Sequence, residues 1–213
     1  MFNKILLALS VAYLVSLSLG FLAGRLTHIK VSKLKNISDR LYDPFTVRLK
    51  NLWHKNFQDN IKQAKFLPVF ITIFLNNLLL AAFITRIVYG LVFFYPVLLT
   101  LWGAFAKGVV FARVPAFNPF LLLEFVAYLL AASLGIHLGW GALLYFVTGA
   151  SDTLLDALQA LITVFPLVTL ILLIHSLVET RLIIKARRLA PGIEFDIKQA
   201  REEMLKRLDK KPD

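Results

Sequence analysis

The feature that most constrains this chain is a series of long apolar runs. The first covers 5–24 and contains no charged residue, and later runs cover 66–112, 118–147 and 154–184. A helix needs about 20 apolar residues to cross the hydrocarbon of a bilayer, so each run is long enough to do so. The runs therefore predict an all-α fold, a polytopic bundle of membrane helices.

The run 66–112 is too long for a single crossing and predicts two. We expect these spans over 66–86 and 91–112, with a turn between them where Gly90 and Pro96 interrupt the pattern. With the other three runs, the count is five transmembrane helices. Residues 1–189 then form a membrane domain, and 190–213 form a C-terminal helix and tail.

Composition excludes the other broad classes. Of all residues, 58% are hydrophobic and 17% are charged, whereas a soluble domain is about half apolar and about a quarter charged. The chain is also too apolar to be a disordered or nucleic-acid-binding tail. It has no cysteine, which excludes disulfides and thiolate chemistry.

The basic residues predict an orientation. The net charge is +11, and most Lys and Arg residues fall in the segment 25–65 or after residue 180. With five spans these two segments lie on one side, and the side rich in Lys and Arg is cytoplasmic. We therefore expect a multi-pass protein of the cell membrane with its N-terminus outside. The charge is a topology signal, and nucleic acid is not an expected partner.

The first run also has features of a cleavable signal peptide. Lys4 precedes the apolar stretch, and Ser18 and Gly20 are small enough for a cleavage site. The stretch is long for a signal peptide, and the basic segment that follows disfavours export. We expect the run to remain as the first span, with cleavage as the alternative.

Two basic helices are predicted outside the spans. Asp43 and Pro44 are typical of a helix start, and apolar residues then recur every three or four positions over 44–64. This amphipathic helix lies either in the headgroup layer, attracted to anionic lipid, or against the ends of the bundle. A second helix follows Gly192 in the C-terminal tail.

Small residues recur every fourth position in three of the runs. Small side chains allow helices to pack closely in lipid, where the hydrophobic effect does not drive association. The ladders are Ala8, Ala12, Ser16, Gly20 and Gly24; Thr100, Ala104, Gly108 and Ala112; and Ala127, Ala131, Gly135 and Gly139. We expect Gly20, Gly24, Gly108, Gly135 and Gly139 to pack helices within the chain. A homodimer through one ladder is the alternative.

Ionisable and amide side chains occur at membrane depth, where an ionised group costs at least about 2.5–3.5 kcal/mol. The predicted intramembrane polar network is Asn76, Asn77, Lys107, Arg113, Glu124, His175 and Glu179. One interpretation is an ion-paired clamp that holds the helices in register. The other is a proton or substrate path through Glu124, His175 and Glu179.

Two further polar contacts are expected nearer the other side. Arg86 is predicted to meet Asp152 or Asp156 at the outer surface, and His137 to be a packed or interfacial histidine.

No pattern in the chain indicates a reaction. There is no HExxH motif and no phosphate-binding loop. His175 and Glu179 are too few ligands for a metal site. Gly149 to Asp152 only faintly match the serine loop of rhomboid proteases. We expect a protein that is not an enzyme and has no cofactor, metal or catalytic residue.

The order of the short motifs resembles the stage II sporulation protein M family. That family has about five spans, and a stretch like FxxIFLNN opens the second. Here 70–77 read FITIFLNN. A Gly, a Pro and a small-residue step follow, and these match Gly90, Pro96 and the interval 103–108.

The resemblance continues in the last two spans. Glu124, Ala127, Ala131 and Gly135 match the fourth span, but Phe120 and Leu121 stand where the family has His-Gly. Residues 177–180 match the Glu-containing stretch of the fifth. The resemblance covers about 5–184 and implies a non-enzymatic membrane protein that anchors or assembles protein partners. The alternative function is a small carrier or permease subunit that uses Glu124 and Glu179.

Overall fold

The computed structural model describes residues 1–26, 34, 57–92, 94–112, 121–149 and 151–189. These residues form helices and short turns, and no strand occurs among them, which confirms the all-α prediction. The first part of the predicted amphipathic helix (44–56), Arg113 and the tail 190–213 lie outside the described residues.

Five long helices account for most of this part of the chain. They are α1 (Phe2–Leu26), α2 (Phe66–Leu91), α3 (Phe94–Phe111), α4 (Leu121–Thr148) and α5 (Asp152–Leu189). Four of them, α1, α2, α4 and α5, are long and apolar enough to cross a membrane. The fifth, α3, is apolar but has 18 residues.

Helix α2 changes its hydrogen-bonding pattern along its length. Phe66–Leu75 is α-helical, Asn76–Ile87 is π-helical, and Val88–Leu91 forms a last 3₁₀ turn. The helix therefore continues five residues past the predicted end at Arg86. Gly90 lies in this last turn, where it packs against the backbone of Gly135 in α4.

Helices α1 and α3 lie side by side and run in the same direction. The Ser16 hydroxyl donates a hydrogen bond to the Leu101 carbonyl oxygen at 2.8 Å, and further along Gly24 faces Val109. Successive contacts move toward the C-terminus of both helices, which means that α1 and α3 are parallel. The chain must therefore reverse between them, and α2 provides the return.

Helices α2 and α4 are also parallel to each other. Gly135 lies against Arg86, and Gly139 lies against Gly90 one turn later. Helix α5 is antiparallel to both, since Phe165 contacts Phe83 of α2 and Leu154 faces the last turns of α4. The main core forms where these three helices meet, around Ala82, Ala127, Ala131, Leu134, Val168 and Leu172.

Within the described ranges, the helix directions bring most of the basic residues to one end. Helices α1, α3 and α5 finish there, and α2 and α4 begin there. We call it the basic end, because α1 carries Arg25 in its last turn and α5 carries Arg187 and Arg188.

A short helical segment, 57–62, packs against the basic end. Ile61 is 2% exposed and contacts a cluster formed by Val69, Ile73 and Ile184. Ala64 then adopts a left-handed conformation, φ 51°, and the Lys65 N–H donates to the Asn60 carbonyl at 3.0 Å. The described part of the amphipathic helix is thus packed on the bundle.

Candidate functional site

The predicted network separates into three contacts in the structure. Lys107 Nζ lies 3.6 Å from Glu124 Oε2, and His175 Nε2 lies 3.5 Å from Glu179 Oε2. The side chains of Asn76 and Asn77 hydrogen-bond to each other at 3.3 Å. Arg113 is outside the described residues.

The Lys107 site joins α3 to the start of α4. Besides its contact with Glu124, Lys107 Nζ lies 3.7 Å from the centroid of the Phe125 ring. An ammonium group in this position is attracted to the face of the ring as well as to the carboxylate. The side chains of Lys107 and Glu124 are 34% and 20% exposed at the surface of the bundle.

The Arg86 site is buried between α2 and α4, beside the Tyr128 ring. Arg86 is 7% exposed, and its Cζ lies 3.9 Å from the centroid of the Tyr128 ring. The guanidinium also donates to the Ala81 carbonyl and to Thr85 Oγ1, the latter at 3.4 Å. Backbone, hydroxyl and aromatic ring replace part of the water that a guanidinium loses on burial, while Arg86 Nε has no hydrogen-bond partner among the described residues.

The expectation that Arg86 meets Asp152 or Asp156 is wrong. Because side chains on a helix point toward its N-terminus, Arg86 reaches into the bundle, away from the end at which α5 begins. Asp156 instead lies beside His137, with His137 Nε2 3.1 Å from Asp156 Oδ2. His137 is buried, as expected of a packed histidine.

Tyr128 connects the two cation sites. One face of its ring carries Arg86, and its hydroxyl hydrogen-bonds to the Glu124 carboxylate. Tyr13 of α1 is buried next to Phe125, with ring centroids 5.7 Å apart. Its hydroxyl has no hydrogen-bond partner among the described residues. We call Tyr13, Arg86, Lys107, Glu124 and Tyr128 the polar cluster.

His175 and Glu179 extend the polar cluster toward the basic end. His175 is buried and lies within electrostatic range of Glu124. The Glu179 side chain is 43% exposed. His175 thus contacts the Glu179 carboxylate, which is partly exposed, and lies near the Glu124 carboxylate.

The five glycines predicted to pack helices all lie at backbone contacts. In the α1–α3 seam, a Cβ added to Gly20 or Gly108 would meet a carbonyl oxygen of the facing helix, and one added to Gly24 would lie 2.9 Å from the Val109 carbonyl. In the α2–α4 seam, Gly135 and Gly139 face carbonyl oxygens of α2 in the same way. At these five glycine positions, neither seam has room for a side chain.

Sequence reasoning did not place Arg86, Tyr128 or Tyr13 in the polar network. One signal was available: Arg86 is the only charged residue within 66–106. No periodic pattern marks the two tyrosines, because tyrosine is equally typical of a membrane interface.

No three side chains of His, Cys, Asp or Glu in the described ranges are grouped so that they would hold a metal ion. No family model matches the chain, and no curated protein or solved structure matches it. The resemblance to the stage II sporulation protein M family therefore stays a prediction.

Proposed function

We propose that the chain is a non-enzymatic integral membrane scaffold or assembly protein, in keeping with its resemblance to the stage II sporulation protein M family. Its action would depend on helix packing and on protein partners. The observation that carries this proposal is the pair of glycine seams, in which α1 meets α3 and α2 meets α4 backbone to backbone. Such contacts are typical of helices held in one arrangement.

The proposal includes five crossings. Helix α3 has 18 residues and is about 27 Å long, close to the hydrocarbon thickness of about 30 Å. Its parallel contact with α1 supports a complete crossing by α3 and by α2 between them. The basic end is then cytoplasmic, and the N-terminus is outside.

The polar cluster would serve this scaffold as an internal clamp. Lys107 has a carboxylate partner, and the cation of Arg86 is held by groups of α2 itself and by Tyr128 of α4. These contacts tie α2 to α4 and α3 to α4. This supports a structural role and needs no cofactor.

Partners remain those of a membrane scaffold. The lipid bilayer surrounds the apolar faces, and other membrane proteins or a second copy dock on the outside. Because this chain's own helices cover Gly20, Gly24, Gly108, Gly135 and Gly139, a homodimer would use a different face.

Reconstitution of the purified chain into liposomes tests the proposal. We expect no flux of protons or of a broad panel of solutes, and we expect Glu124→Gln to lower the melting temperature in detergent. Glu179→Gln in the same detergent is the stability control, because its side chain is 43% exposed and we expect a smaller loss. Pull-down of a reproducible membrane partner from cross-linked cells would complete the positive evidence.

The second candidate is a small carrier or permease subunit. The contact of His175 with Glu179 and the electrostatic proximity of His175 to Glu124 favour it, because chains of titratable groups conduct protons in transporters. It predicts proton- or solute-dependent flux whose pH dependence disappears in Glu124→Gln and Glu179→Gln. Such flux in the wild-type chain would replace the scaffold proposal.

A further inference from the structure

A small cavity opens at the basic end between the start of α2 and the end of α5. It has a volume of about 340 Å³ and is lined by Phe66, Arg181, Ile184, Lys185 and Arg188. Three of the five lining residues are cations, and the other two are apolar. Neither the proposed scaffold nor the carrier uses this cavity.

The three cations lie on one face of α5. Arg181, Lys185 and Arg188 follow one another at spacings of four and three residues, which places their side chains in a row. All three are exposed. Within the part of the chain that the structure describes, no carboxylate lies within ion-pair distance of them. Among the described residues, the row therefore carries positive charge that no carboxylate pairs with.

The surroundings of the row are apolar. Ile184 is buried in the cluster with Ile61 and Val69, so it forms a fixed wall, and Phe66 covers the other side. The next residues along the two helices, Leu67 and Leu182, are exposed and face outward from the bundle. A ligand that fits has a negative head and an apolar body.

From this arrangement we propose that the cavity binds the phosphate of an anionic phospholipid headgroup. Arg181, Lys185 and Arg188 contact the phosphate, and the acyl chains lie along the exposed apolar faces of α2 and α5. Basic pockets between helices at the boundary of the bilayer bind such lipids by charge and hydrogen bonding. A free phosphate ion shares the head chemistry but gains nothing from the apolar walls.

Binding of defined lipids to the full chain tests the site. The detergent-solubilised protein is titrated with phosphatidylglycerol, with phosphatidylcholine of the same acyl chains, and with inorganic phosphate, and bound lipid is counted by native mass spectrometry. We expect phosphatidylglycerol to be retained and to raise the melting temperature. Phosphatidylcholine is retained at least about tenfold more weakly, and inorganic phosphate leaves the melting temperature unchanged.

Variants locate the effect. Replacing Arg181 and Lys185 by Gln weakens phosphatidylglycerol binding about tenfold or more, since each cation near a membrane surface contributes to binding. The charge-preserving pair Arg181→Lys and Lys185→Arg retains binding within about threefold. The matched control is Arg25→Gln, which removes a cation from the same end on α1 and changes binding less than about twofold.

Three results would overturn the proposal. Equal retention of the two lipids would mean that the site does not discriminate between headgroups by their charge. An equal loss in Arg25→Gln would mean that only the general charge of the basic end matters. A melting-temperature rise with inorganic phosphate alone would assign the site to a soluble anion. If the double Gln variant does not fold, Arg181→Gln alone is compared with Arg181→Lys in the same titration.

Discussion

The Arg86 site and the Lys107 site place a cation inside the same bundle in two different ways. Lys107 lies 3.6 Å from the carboxylate of Glu124 and remains partly exposed. Arg86 is more deeply buried, and its bonds go to the Ala81 carbonyl, the Thr85 hydroxyl and the Tyr128 ring. An ammonium is a compact charge that needs a counter-ion, whereas a guanidinium is planar, delocalised and less strongly hydrated. The difference between the two side chains explains the difference between the two sites.

The local backbone contributes to this difference. Arg86 lies near the end of the π-helical segment Asn76–Ile87, and its guanidinium donates to a carbonyl five residues earlier in the same helix. Thr85 donates to that carbonyl as well, at 2.6 Å. Lys107 lies in the α-helix α3, and its partners, Glu124 and Phe125, both belong to α4.

The largest expected effect comes from moving α2 away from α4. In Gly135→Ala the new methyl group meets the Arg86 carbonyl, so the Arg86 site separates from Tyr128. We expect the free energy of unfolding to fall by about 3 kcal/mol, because backbone cannot yield as a side chain does. Unfolding in detergent followed by circular dichroism measures the change.

Gly103→Ala is the matched control for that substitution. It is also a helical glycine, but no atom lies within 4 Å of its added Cβ. We expect stability to be unchanged or to rise by up to about 1 kcal/mol, since Ala favours the helix. Similar losses in both variants would contradict the account of the α2–α4 seam.

Glu124→Gln tests the need of Lys107 for a counter-charge. The variant leaves a cation in a partly buried place, and we expect a loss of about 2 kcal/mol, less than for a fully buried pair. Combining it with Lys107→Gln restores part of the loss, because no charge is then left alone. Stability measured for the two single variants and the double variant gives the coupling. Additive losses would mean that the pair does not interact.

Exchange of the two cations tests the comparison directly. Arg86→Lys leaves an ammonium that cannot donate to the Ala81 carbonyl and also lie flat on Tyr128, and we expect a loss of about 1.5 kcal/mol. Lys107→Arg keeps a cation beside Glu124 and costs less than about 1 kcal/mol. The two melting temperatures are compared in the same detergent. A larger loss at Lys107 would reverse the assignment of roles.

The smallest effect is expected for Tyr128→Phe. This variant distinguishes the contribution of the hydroxyl, which contacts Glu124, from that of the ring, which contacts Arg86. The ring under Arg86 remains, and only the hydroxyl that bonds to Glu124 is lost, so we expect a cost of about 1 kcal/mol. Tyr128→Leu removes the ring as well and costs more. If Tyr128→Phe and Tyr128→Leu destabilise equally, the ring does not support Arg86.

Part of the candidate site was predictable. The contact of Lys107 with Glu124 follows from depth, because both residues stand near the basic ends of adjacent apolar runs and unpaired charges in lipid are costly. The glycine ladders predicted close packing for the same kind of reason, namely that small residues at every fourth position share a face. Arg86 was misplaced because the sequence does not show which face of α2 packs on α4, and that packing puts the Tyr128 ring beside the guanidinium.

The apolar runs by themselves determined that the chain is a helical membrane-type protein, since their length and composition leave its backbone no other way to satisfy its hydrogen bonds in lipid. Tertiary structure alone decided which ladder faces which helix, because Gly20 and Gly135 look alike in sequence and differ only in the backbone that lies opposite. It also decided that Arg86 is buried, because the carbonyl of Ala81 and the ring of Tyr128 come together only when α2 continues to Leu91 and packs on α4.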